Sequence, residues 1–184
     1  MRRSVGLVLS VILLGGCNDA EQGERIGLFS VLATRTQNSC GAQLSGKRSS
    51  ARFNVVLSLQ QGVLRWTPEG ASTATGTFDV YPGTFRISLE ESSERIAPDR
   101  RREIAGCVLR RVDVIEGSLR AVADAGVQSD PDAGSRVAGF TAQETIAYGV
   151  ESGDCGALLG VGQGQALALP CVVGYQLDAT RVGP

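Results

Sequence analysis

No histidine occurs among the 184 residues, lysine appears once, as Lys47 beside 17 arginines, and the only methionine is Met1. The missing imidazole removes the commonest general base and a leading metal ligand together. With 18 Lys+Arg against 19 Asp+Glu, the formal net charge is −1. No cationic excess is available to neutralise a phosphate backbone, which argues against nucleic acid as a partner. Aromatic residues make up only 5% of the chain, and no Cys-x-x-Cys pair occurs. What is present suffices for one globular domain, since 42% hydrophobic and 20% charged residues can bury a core.

Arg2 and Arg3 precede a mainly apolar run, Val5 to Leu14, that ends in Gly15, Gly16 and Cys17. This is the order of an export signal: basic start, apolar middle, small residues at the cut. The run is about half of the roughly 20 residues a membrane-spanning helix requires, so it is removed or tethered and does not span. Leu14-Gly15-Gly16-Cys17 resembles the lipobox of bacterial lipoproteins. The resemblance implies that residues 1–16 are cleaved and that Cys17 carries the lipid, palmitate-type acyl chains included. More than one chain holds a protein stably on a membrane. Residues 17–26 then form a lipidated, polar tether and 27–184 a single domain. Asn18, standing where an Asp would signal inner-membrane retention, favours the outer membrane.

Cys40, Cys107, Cys155 and Cys171 remain, an even number in an exported chain, and this predicts two disulfides. Four cysteines allow three pairings. Nearness in sequence favours Cys155 with Cys171 across a glycine-rich loop, leaving Cys40 with Cys107. A loop of that size contributes about 3 kcal/mol in the chain-entropy picture. A four-thiolate zinc site is disfavoured, because Cys-x-x-Cys spacing and histidine are both missing.

The mature chain alternates apolar and polar residues with the period of strands. In 52–59, Phe53, Val55, Leu57 and Leu59 share a face; in 84–90, Phe85, Ile87 and Leu89 do the same. Further strands are expected at 28–34, 63–66, 75–80, 107–114, 117–123, 137–150 and 171–180. Gln60-Gln61-Gly62, Pro82-Gly83, Glu116-Gly117 and Ser152-Gly153-Asp154 supply the reversals. The expectation is all-β: an antiparallel meander of about eight or nine strands. It closes as a small barrel in preference to a sandwich, since closure removes exposed edges. Glu90 to Ile104 is charged, interrupted by Pro98 and without an apolar stripe, so it reads as a solvated loop. Asp124-Ala125-Gly126 and Asp132-Ala133-Gly134 repeat a triplet that resembles the low-complexity insertions of myxobacterial lipoproteins. Small polar residues there bury too little to offset ordering, and a mobile loop near 124–135 is expected.

Chemistry-bearing patterns are sparse. Gly160-Val161-Gly162-Gln163-Gly164 lacks the strand–helix context of a phosphate loop and reads as a flexible connection. Asp130-Pro131-Asp132-Ala133-Gly134 begins like a calcium loop, but Pro131 and the missing downstream Glu oppose it. Lys47, within Ser45 to Ser50, reads as exposed and unsuited to a Ser-Lys pair. Glu69, Asp79, Asp113, Glu116 and Glu144 fall near expected strand ends and could form a glycosidase-type pair only if geometry brings two together. Arg100 to Arg102 and Arg110-Arg111 form a basic cluster that neighbouring acids dilute. Trp66 reads as a core aromatic.

The functional expectation is a lipid-anchored cell-envelope protein that acts by binding an envelope protein or a small apolar ligand. It is not an enzyme, and it has no cofactor and no metal. A ligand held inside a barrel would resemble lipocalin-like proteins in architecture and requires an apolar cavity. The alternative is an envelope hydrolase that uses carboxylates without histidine.

Overall fold

The computed structural model describes residues 24–97, 99, 105–121, 137–159 and 166–183. Eight strands follow in chain order: β1 (Glu24–Asn38), β2 (Ser50–Gln60), β3 (Val63–Pro68), β4 (Ala74–Asp79), β5 (Thr84–Ile96), β6 (Cys107–Ala121), β7 (Val137–Gly153) and β8 (Cys171–Gly183). Each pairs antiparallel with its neighbour in sequence, and β8 returns to β1, so the sheet closes as a barrel. The expected all-β meander, the barrel closure and two disulfides are all present. Alternation explains the wall: Val55 and Leu57 on β2 point inward and are fully buried, with Val56 between them less so. Between β2 and β3, Gln61 and Gly62 take φ of 51° and 81°, the left-handed pair of a tight hairpin turn.

Three expectations about the elements need correction. The residues 107–114 and 117–123 are not two strands, because β6 runs unbroken to Ala121 through Glu116-Gly117. Gly117 serves packing instead of turning: a Cβ there would lie 2.7 Å from the Phe85 ring and 2.6 Å from the Ala142 methyl. The segment from Glu90 is not a loop as far as Ile96 but the second half of β5, laddered onto β6. Its polar character reflects a polar barrel interior at that level. β1 starts at Glu24, so the domain begins inside the stretch read as tether, and Ile26 is already in the core.

The barrel's middle is filled by aromatic rings. Phe140 makes edge-to-face contacts with Phe29, Trp66 and Phe85 at centroid separations of 5.4, 5.6 and 5.7 Å. Phe53 extends the group through Trp66 at 6.4 Å. Trp66, 4% exposed, is the core aromatic expected of it.

Beyond one end of this plug lies a second, smaller core. Ile146, Tyr148 and Val173 gather around Cys40 and Cys171, while Leu109 and Leu158 gather around Cys107 and Cys155. Leu44, from the short helix α1 (Ala42–Ser45), and Leu169 pack against both groups. The disulfides join Cys40 to Cys171 and Cys107 to Cys155, each with a Cα separation of 5.0 Å. The pairing favoured by nearness in sequence is therefore overturned, and strand register is the reason. Val173 sits opposite Asn38 across the β1–β8 ladder, which brings Cys40 beside Cys171. Cys107 sits opposite Gly153, which brings Cys155 beside it.

Candidate functional site

Strand length is uneven around the barrel, and this inequality makes the site. β3 and β4 have six residues each, whereas β5, β6 and β7 have 13, 15 and 17. Above the level of Trp66 and Ala74 the wall is missing on one side, and the inner faces of the long strands border a cavity before the second core begins. The resulting cavity, about 550 Å³, has Phe53, Trp66, Ile87 and Ile115 as its apolar floor. Glu91, Arg111, Asp113 and Glu144 form its charged wall, and the β3–β4 connection contributes Ala71 and Ser72 to the rim.

Register fixes the charged wall. Glu91, Arg111 and Tyr148 form one rung across β5, β6 and β7. Two inward positions further along, a second rung carries Ile115, Glu144, Tyr175 and Arg35 across β6, β7, β8 and β1. Asp113 lies between these rungs opposite Ile146, so Asp113 and Glu144 are diagonal neighbours, roughly 7–8 Å apart at the backbone. Arg111 Nε donates to Asp113 Oδ1 at 2.8 Å, and Nη2 donates to Oδ2, a two-pronged pair. Beyond the cavity lining, the same rung is tied to the end of α1: Tyr175 Oη donates to the Ser45 carbonyl at 3.4 Å, and Arg35 Nη1 donates to Ser45 Oγ and the Gly46 carbonyl at 3.0 Å each.

These surroundings perturb both carboxyls. Burial raises the Asp113 carboxyl from its ordinary value, although its hydrogen bond to Arg111 pulls the other way. Glu144 is pushed up to about 7, first by burial and then by the charge of Asp113, against a smaller opposing effect of Arg111. No hydrogen bond from a described residue compensates it. Burial also raises the Tyr148 phenol. Near neutral pH the cavity therefore holds a carboxyl that exchanges its proton, beside a second one paired with a guanidinium. Such a wall can donate and accept hydrogen bonds and can move a proton.

The linkage to stability has a definite sign. Folding raises the Glu144 pKa from an ordinary 4.5 to about 7, so the native state binds the extra proton within that window. Stability is greatest below 4.5, declines as pH rises to about 7, and is flat in this respect above it. At about 1.4 kcal/mol per unit the loss is on the order of 3 kcal/mol. Urea denaturation at pH 4 and pH 8 is expected to show Glu144→Gln stabilising the protein at pH 8 and leaving it nearly unchanged at pH 4.

Of the carboxylates singled out by sequence, the structure brings Asp113 and Glu144 together, and places them in mid-strand, not at strand ends. Glu116, also in mid-strand, faces outward and pairs with Arg86. Glu69, just past β3, accepts from Asn54 Nδ2 at 3.0 Å. Asp79 closes β4 at the opposite end of the barrel. Lys47 is exposed, as expected. The basic pair Arg110-Arg111 divides by alternation: Arg110 turns out to Glu90 at 2.7 Å, and Arg111 turns in to Asp113. Sequence reading missed Glu91, Arg111 and Tyr148 as inward groups, though alternation carried on from Phe85, Ile87 and Leu89 reaches Glu91. Cys17, Arg100 to Arg102, Asp130 to Gly134 and Gly160 to Gly164 lie outside the described residues. Among the described residues, no group of three or more Cys, Asp or Glu is placed to hold a metal ion.

A second cavity, about 320 Å³, opens at the narrow end and is lined by Ile26, Leu59, Phe78, Val80, Leu119 and Val137 among others. Between the two mouths the ring cluster leaves no continuous apolar chamber. Among the described residues, five aromatic side chains occupy the place where a lipocalin-type cavity would lie. No family model, no curated protein and no solved structure matches the chain.

Proposed function

We propose that the protein is a lipid-anchored binding module of the cell envelope that takes a small polar ligand in its wide mouth. The observation that carries this reading is Glu144, a half-buried carboxyl that faces an open cavity and receives no hydrogen bond from a described residue. Leaving such a group without a partner costs stability, and a ligand that donates a hydrogen bond, through an ammonium or hydroxyl group, would recover it. The apolar floor of Phe53 and Trp66 suits the carbon face of the same ligand. Placement at the envelope rests on the lipobox resemblance at Cys17. Native mass spectrometry of the protein extracted in detergent from its own cells tests the reading. The expected result is a retained small molecule on the wild type and its loss from Glu144→Gln. Equal, ligand-free spectra of both would count against it.

A second reading is favoured by one specific feature, the presence of two carboxyls in the same cleft. Glu144 would supply a proton while Asp113, held by the Arg111 guanidinium, would face the same substrate, the two-carboxyl arrangement that glycoside cleavage uses. Incubation with envelope glycan distinguishes it. Reducing ends released by the wild type and not by Glu144→Gln would establish hydrolysis, and no release from either leaves binding as the function.

A further inference from the structure

At the narrow end the β4–β5 turn carries Val80 and Tyr81, 81% and 94% exposed, at the edge of the apolar mouth. Ile26, Leu59, Phe78 and Leu119 lie behind them, so the tip and the funnel form one apolar surface. Among the described residues, Arg25, Arg120 and Arg181 stand at this end, with Glu24 and Asp79 against them. An aromatic ring with a polar tip beside a bare aliphatic residue is suited to the boundary between water and acyl chains.

The path of the chain says what covers this surface. Glu24, the first residue of β1, itself lines the narrow mouth. Cys17 stands only seven residues upstream, and such a stretch reaches at most about 25 Å. From Glu24, β1 leads away to Arg35, on the rung of Glu144, about 36 Å measured along a strand. A lipid on Cys17 therefore keeps the narrow end within reach of the bilayer and the wide mouth beyond it.

We infer that the narrow mouth docks on the membrane surface, with Val80 and Tyr81 inserted at the acyl boundary, so that the charged wide mouth points away from the lipid. The inference rests on the lipobox reading for its tether. The contact is apolar, so it forms on uncharged phosphatidylcholine and survives high salt. It also gives the domain a fixed orientation, which a flexible tether alone would not.

The test uses the full chain extracted from its own membranes and reconstituted into phosphatidylcholine vesicles with brominated acyl chains, which quench tryptophan on contact. Tyr81→Trp is compared with Ser152→Trp, on an exposed position at the far end of β7; the buried Trp66 is a constant background in both. The expected result is quenching of Tyr81→Trp at least threefold stronger than of Ser152→Trp, unchanged in 1 M salt. Equal quenching of the two would overturn the inference. So would a Tyr81→Trp emission that is already blue-shifted without lipid, because a second copy or residues 122–136 would then occupy the mouth. The intact mass of the same preparation separates the two claims. A chain without acyl groups removes the lipobox reading, and quenching by added vesicles still decides whether the narrow mouth meets lipid.

Discussion

Phe140→Ala should destabilise the domain by about 3–5 kcal/mol, the range for emptying a large aromatic site in a core. Phe140 is fully buried and is the residue on which Phe29, Trp66 and Phe85 all converge. Three edge-to-face contacts disappear together with the buried area. Collapse into the gap is opposed by the barrel, whose hydrogen-bonded wall fixes the distance between opposite strands. For a domain of this size each kcal/mol corresponds to roughly 2–4 °C, so thermal unfolding followed by circular dichroism should shift downward by on the order of 10 °C. Val182→Ala, at an exposed site on β8, should shift it by less than about 2 °C. Comparable shifts for the two variants would mean that the rings do not form the core.

The second large effect concerns the bridges. Cys40–Cys171 closes a span of 131 residues and Cys107–Cys155 one of 48. In the chain-entropy picture these constrain the unfolded state by about 5 and about 4 kcal/mol. Replacing both members of each pair by Ala, with urea denaturation under non-reducing conditions, should therefore find Cys40/Cys171 the costlier removal. The bridge nearest in sequence, Cys155 with Cys171, would be worth only about 3 kcal/mol by the same reasoning. Peptide mapping without reduction checks the connectivity directly. A fragment joining the neighbourhoods of Cys155 and Cys171 would contradict the register that places them apart.

Much of the wall was legible because burial on one side imposes strict alternation, as in 52–59 and 84–90. The reading failed where the interior ceases to be apolar. Glu91 occupies an inward position of β5, yet it looks like a loop residue because it faces a polar mouth. Gly117 looked like a turn because glycine is read first as backbone freedom; here it makes room for Phe85. Disulfide pairing was not legible at all, since it depends on strand register, across the β1–β8 seam for Cys40–Cys171 and between β6 and β7 for Cys107–Cys155. For the site, Asp113 and Glu144 were among the candidate carboxylates, but nothing in a one-dimensional reading shows that short β3 and β4 expose them. Arg111 was hidden by its neighbour: two adjacent arginines suggest one basic patch, and a strand sends them to opposite faces.

The closed meander has one further consequence. Every ladder joins strands adjacent in sequence except the β1–β8 seam, where Leu28 lies opposite Gly183 at the narrow end. A short linker between Gly183 and Glu24 would turn that seam into one more hairpin, and the chain into a ring with no preferred first strand. Opening the ring at Gln61-Gly62, a two-residue turn at the narrow end and away from the charged mouth, should yield a circular permutant with the same barrel. In such a rearranged chain the β2–β3 pairing would become the late, long-distance closure, and the order in which the sheet assembles would change while its architecture stayed the same.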